Sequence, residues 1–224
     1  MKLNGKQYDK FILNGKTYDK FYLNNKIYQS LDPGLILDLP LQNNFTDYSA
    51  SGISMVAGGT SNQPTFALSG RKAGEYCAVF NGSQSIKTTT NLPINSDKVT
   101  IKFWIKTSIP SSAAIISEVG NDSINAFAIY MNKSNGGCLA GNDRGSAGYN
   151  IFNHNTMPFN SWVHIVVTLD RAKNGLGTWQ VYQNGILKTI LRTSTPDNNG
   201  NFANNILFIG QRAGSSSGFN GSLT

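Results

Sequence analysis

The stretch KVTIKFWIKT, residues 98–107, alternates without a break. Val99, Ile101, Phe103 and Ile105 share one face of an extended chain, and Thr100, Lys102, Trp104 and Lys106 share the other. A helix would scatter these residues around its axis, so the segment reads as a strand with one face in a core. Working outward, EYCAVFNG (75–82), SIKT (85–88), AAIISEVG (113–120), NAFAIYMN (125–132) and GYNIFN (148–153) are similarly short and rich in β-formers. WVHIVVTLD (162–170), TWQVYQNGILKTILR (178–192) and NNILFIGQR (204–212) continue the series, with Asn184-Gly185 marking a hairpin. LILDLPL (35–41) is expected to open the sandwich, and 43–74 reads as rich in loops. About a dozen short strands between Gly, Asn, Ser and Pro turns predict an all-β sandwich or barrel.

Composition agrees. The chain has 224 residues, enough for one large core, with only 14% charged residues and 23 glycines. The formal charge is +7, but residues 1–32 hold Lys2, Lys6, Lys10, Lys16, Lys20 and Lys26 interleaved with Asp9, Asp19 and Asp32. Such regular spacing is unlike the clustered Lys and Arg of a nucleic-acid arm, so no nucleic-acid partner is expected. MKLNGKQYDKF lacks the apolar run of a signal peptide, and no window is long enough to cross a bilayer, so no membrane partner is expected. Cys77 and Cys138 are too few and too far apart for a disulfide framework or a zinc site and read as two free thiols.

The N-terminus repeats with a period of ten residues: KLNGKQYDKF, ILNGKTYDKF, then the degraded YLNNKIYQS. Asn4-Gly5 and Asn14-Gly15 suit type I′ turns and Asn24-Asn25 is a weaker version, which predicts a four-strand meander. Lys6, Tyr8, Lys10 and Ile12 share one face of a strand and Gln7, Asp9, Phe11 and Leu13 the other, so neither face is cleanly apolar. A ribbon this small has little core of its own and needs a partner. Residues 1–32 are therefore read as an attachment or oligomerisation segment, with Tyr8, Phe11, Tyr18, Phe21, Tyr22 and Tyr28 as its contact residues. Asp32-Pro33-Gly34 marks the boundary to a body spanning 33–224.

The order FNG (80–82), VTIKFWIKT (99–107), WVHIVVTLD (162–170), VYQNG (181–185), LFIGQR (207–212) and FNGSL (219–223) resembles the laminin-G-like, concanavalin-type jelly rolls of bacterial and phage surface proteins. The resemblance covers roughly residues 35–224. It implies a jelly-roll sandwich, and because such domains continue past FNGSL, it implies a final strand beyond Thr224. The LNGK-x-YDK-F repeats resemble N-terminal segments of structural proteins from tailed phages of gut bacteria. Together the two imply a non-enzymatic virion protein, a fibre or decoration component assembled in the host cytoplasm, that contacts other virion proteins or its own copies and displays the jelly roll to surface glycans. A purely structural decoration protein, or a secreted or cell-surface bacterial lectin or adhesin, are the alternatives.

Some proteins of this fold cleave sugars with paired carboxyl groups about 5–9 Å apart. This chain has only Glu75 and Glu118, and no strand carries alternating acids; Glu118 and Asp122 straddle a turn, so no catalytic residue is assigned. His164 lies on the face of WVHIVVTLD away from the core and reads as structural. Sugar recognition pairs an aromatic ring with amide, carboxylate or guanidinium groups. GNDRGSAGYNIFNH, read as a loop, offers Asn142, Asp143, Arg144, Tyr149 and His154, and Trp104 between Lys102 and Lys106 is a second stacking candidate. The resemblance also allows calcium; Asp122, Asp143 and Asp170 could supply oxygens but fall in no ligand-spacing motif, so no cofactor or metal is assigned.

Overall fold

The computed structural model describes the backbone of residues 2–3, 6–7, 11–13, 16–18, 20–23, 26–29, 34–49, 51–58, 62–108, 114–120, 123–132, 138–145, 148–154, 157–173, 178–192, 198–211 and 218–224. Below residue 34, and at 114–115, 145, 148–150 and 192, the description is of backbone alone. Among the described residues there is no helix long and apolar enough to cross a membrane.

Three hairpins open the chain: β1 (Lys2–Leu3) with β2 (Lys6–Gln7), β3 (Phe11–Leu13) with β4 (Lys16–Tyr18), and β5 (Lys20–Leu23) with β6 (Lys26–Gln29). Leu3 pairs with Lys6, Leu13 with Lys16 and Leu23 with Lys26, the positions that flank the Asn-Gly and Asn-Asn signals, which themselves lie outside the described residues. Among the described residues these pairs stand as three two-stranded sheets, and residues 8–10 and 19, which would join them into the expected meander, lie outside the described residues.

The body is two stacked antiparallel sheets. In chain order the strands are β7 (Met55–Ala57), β8 (Thr65–Leu68), β9 (Tyr76–Asn81), β10 (Ile86–Thr88), β11 (Lys98–Thr107), β12 (Ala114–Val119), β13 (Ala126–Asn132) and β14 (Cys138–Gly145). They continue with β15 (Gly148–His154), β16 (Val163–Asp170), β17 (Trp179–Gln183), β18 (Ile186–Lys188), β19 (Leu191–Arg192), β20 (Leu207–Ile209) and β21 (Asn220–Leu223). One sheet has eight strands in the order β19-β15-β14-β13-β12-β20-β10-β7, the other seven in the order β18-β17-β16-β11-β21-β9-β8.

β11 spans the ten residues whose alternation predicted it, and it pairs along β16 from Lys98↔Asp170 to Ile105↔Val163. Ile105, Val163, Ile165, Val167 and Leu169 are buried between the sheets, with Val99, Ile101 and Phe103 packed against that core. Phe80, Ile129, Leu139, Phe152, Trp179 and Phe219 fill the rest. The Asn184-Gly185 turn has φ of 51° and 80°, the paired positive values of a type I′ hairpin.

Two expectations fail. Residues 35–41 form no strand. Pro40 lacks a donor, and the Asp38 N–H is given to the Asp47 carboxylate at 3.0 Å, so the segment covers the core through Ile36, Leu37 and Leu39 without joining a ladder. Conversely, residues 141–145 of the stretch read as a loop belong to β14, which pairs with the expected strand at 148–153, here β15.

Candidate functional site

The carbohydrate candidates do not converge; the strand register sends them to three layers of the sandwich. Leu139, Gly141 and Asp143 of β14 point inward, whereas Asn142 and Arg144 stand on the outer face of the eight-stranded sheet. Trp104 stands on the outer face of the seven-stranded sheet, on the opposite side of the molecule. Tyr149 pairs with Arg144 through its backbone, and its side chain lies outside the described residues.

Asp143 is 0% exposed and is held by Arg171, whose Nε donates to Oδ1 at 3.1 Å and whose Nη2 donates to the same oxygen. The Arg171 Nη1 donates to Asn125 Oδ1 at 3.1 Å and to the Gly200 and Asn201 carbonyls, and the guanidinium lies 3.9 Å over the Phe202 ring. Burial pushes the Asp143 carboxyl up, and Arg171 and Asn198 pull it back only in part. This pair ties the turn after β16 to β14 and to the 198–202 segment; a sugar cannot reach Asp143 in this arrangement. His154 is 2% exposed and shares a hydrogen bond of 3.0 Å with Gln183 Oε1 across the sheets. Both residues therefore serve the inter-sheet contact.

The outer face over β12–β15 retains a polar group of another composition. Glu118, Ala128, Asn142 and Ile151 form one cross-strand row, and Tyr130, Ala140 and Asn153 the next. Asn142, Arg144, Tyr130 and Asn153 are half-buried, while Glu118 is 1% exposed. Burial, with Cys138 adjacent, pushes the Tyr130 phenol up, so it remains neutral and both donates and accepts. The Cys138 thiol is also pushed up by burial and donates to Asn153 Oδ1 at 3.7 Å, which does not suit a nucleophile.

On the other face, Trp104 is covered. The Arg71 guanidinium sits 4.3 Å from its ring centroid and the His164 ring 5.0 Å away. Arg71 also pairs with Glu75, Ser69 Oγ donates to Glu75 Oε2 at 2.8 Å, and Trp162 Nε1 donates to the Ser69 carbonyl at 2.8 Å, so the 69–75 loop is pinned over the sheet. Burial, then the nearby charges of Lys102 and Arg71, push the His164 imidazole below its usual value. Sequence reasoning missed Arg71 and Arg171, because their partners Trp104 and Asp143 are remote in the chain and no local spacing announces either contact.

Among the described residues no group of three His, Cys, Asp or Glu could hold a metal ion. Asp122, and Tyr8 of the attachment segment, lie outside the described residues. Of the other attachment candidates only backbone pairing is described: Phe11 stands opposite Tyr18, Phe21 opposite Tyr28, and Tyr22 opposite Ile27.

The model of the concanavalin A-like lectin/glucanases superfamily matches residues 80–224, more than half of the chain. The chain belongs to this superfamily. Its fold is thus one shared by lectins and glycan-cleaving enzymes. None of the curated proteins compared with the chain matches it. Among solved structures it is similar to domain 4 of AbnA, a GH43 extracellular arabinanase from Geobacillus stearothermophilus in complex with arabinotriose. Identity there is 18% and the TM-score 0.57, over 84% of this chain and 88% of that one. It is also similar to the enzymatically active domain of tailspike protein 2 of bacteriophage CBA120, at 12% identity and a TM-score of 0.52, over 76% of this chain and 27% of that one. At these identities the likeness concerns the concanavalin-like fold alone.

Proposed function

We propose that this concanavalin-like protein is a non-enzymatic component of a phage virion surface, a fibre or decoration protein, that binds host or mucosal glycans through its jelly roll. The observation that carries the glycan reading is the Tyr130–Asn142–Arg144–Asn153 face, where amide, phenol and guanidinium groups stand on a rigid sheet beside the apolar Ile151. The similarity to an arabinanase domain crystallised with arabinotriose supports it, because there the fold accompanies an oligosaccharide. The similarity to a phage tailspike domain supports the virion setting.

The non-enzymatic reading is supported by where the glutamates stand. Glu118 is on the outer face of the eight-stranded sheet, and Glu75 is paired to Arg71 on the far side of the sandwich, so the two cannot flank one glycosidic bond. The rival reading as a glycan-cleaving enzyme rests on the fold that the chain shares with a domain of a GH43 arabinanase.

The full chain is tested on a panel of host capsular and mucin glycans. Binding that Asn142→Ala weakens about fivefold, the equivalent of one hydrogen bond, supports this face; binding that the substitution leaves unchanged removes it. For residues 1–32, attachment to virion partners or to further copies is proposed on the hairpins, which have too few strands to stand alone. Mass spectrometry of purified particles tests it: the full chain should be present and a chain lacking 1–30 absent, and equal incorporation of both rejects the anchoring role.

A further inference from the structure

The outer face of the seven-stranded sheet carries a feature that the glycan-binding face does not use. Lys98, Lys102 and Lys106 all point outward from β11, four residues and thus about 13 Å apart. All three are exposed. Arg71 joins them over Trp104, between Lys102 and Lys106. Two carboxylates answer this charge: Asp170, 3.5 Å from Lys98, and Glu75, which holds Arg71. Among the described residues no ion pair neutralises Lys102 or Lys106. Burial first, and then the charges of Lys102 and Arg71, lower the neighbouring His164.

Beside these cations runs an apolar strip. The register lines up Lys102, Val166, Tyr182 and Leu187 across four adjacent strands, with Tyr182 half-buried and Leu187 55% exposed. Thr100, Thr168 and Gln180 form the adjoining row, rich in hydroxyl and amide groups. Cations alone would suit any anion. Cations flanked by an apolar strip with one aromatic ring, Tyr182, and by hydroxyl and amide side chains fit a chain that has carboxylate or sulfate groups, apolar ring faces and many hydroxyls. Nucleic acid fits less well, since Asp170 and Glu75 break up the charge that a continuous phosphate backbone would meet.

We propose that this face, centred on Lys102, Lys106 and Tyr182, is a second recognition surface, for acidic polysaccharide. It lies on the opposite side of the sandwich from Asn142 and does not depend on that face. Together the two faces would let one jelly roll hold two glycan chains at once.

The experiment uses the full chain immobilised at neutral pH, with alginate as the uronate probe, dextran sulfate as the sulfate probe and dextran as the neutral control. Binding of alginate, of dextran sulfate or of both, without dextran, is expected, and which of them binds assigns carboxylate or sulfate. The Lys102→Gln/Lys106→Gln double variant should weaken binding about tenfold. Lys87→Gln, on the eight-stranded sheet, should leave it within twofold. Tyr182→Ala should weaken it further at fixed charge. The proposal is overturned if neither acidic probe binds, or if the double variant binds like the parent. It is equally overturned if polyglutamate or a single-stranded oligonucleotide of matched charge binds as tightly as the better polysaccharide, because the surface then reads charge alone.

Discussion

Asp143 is the residue at which local pattern and tertiary structure part most clearly. Within CLAGNDRG nothing marks it as interior, since a carboxylate is among the side chains least often buried unless paired. Its partner lies 28 residues away, and the guanidinium supplies the donors that make burial tolerable. Removing one member of such a pair strands the other. Asp143→Leu is therefore expected to destabilise the fold by about 3–5 kcal/mol, and adding Arg171→Met to recover roughly half of that. Urea denaturation of both variants measures this; a single variant as stable as the parent contradicts the role assigned to the pair. His164 gives a pH signature at the same scale. Its folded-state pKa lies below 6.5, so between that lowered value and 6.5 the unfolded chain binds more protons, and stability falls as pH drops through the window. The melting temperature should fall between pH 7.5 and 5, and His164→Gln should lessen that fall; an identical fall in both proteins contradicts the assignment.

Elements were legible in proportion to how far their own side chains dictate them. β11 and β16 are half-buried strands with clean alternation, and their pairing follows from it. β14 was hidden because its inward positions are Leu139, Gly141 and Asp143, of which Leu139 alone is a large apolar residue. Gly141 is required there: a Cβ would meet the Phe152 ring at 2.3 Å. Residues 35–41 depart in the other direction, with an apolar pattern but no ladder, because side chains take their backbone groups: Asp38 N donates to Asp47 Oδ1 and Ser49 Oγ donates to the Ile36 carbonyl. The element most exposed to a single change is β21. It sits between β9 and β11 and is clasped where Gly82 N donates to the Phe219 carbonyl at 2.9 Å and Gly218 passes over Gly82. A Cβ on Gly218 would come within 1.9 Å of the Gly82 carbonyl oxygen, so Gly218→Ala must displace backbone. A loss of about 2 kcal/mol or more is expected, with faster amide exchange across 220–223; parent-like exchange there contradicts the clasp.

For the whole molecule, the sandwich was readable as an order of weak motifs, each a strand or a turn, whereas the site was not. Of the residues that the sequence groups in 141–154, Asn142 and Arg144 stand on an outer face and Asp143 and His154 in the interior, while Trp104, the separate candidate, stands on the other outer face, since adjacent positions in a strand point opposite ways. The same geometry gives this superfamily member two separate outer surfaces on one rigid body, a form suited to weak contacts multiplied over many copies on a particle. The central claim is that the jelly roll holds glycans without cutting them. The direct measurement is to incubate the purified full chain with each glycan it retains and to assay new reducing ends and unsaturated products alongside binding. Retention with no product above the protein-free control is the predicted result; cleavage that scales with protein concentration, or no retention of any glycan, would contradict it.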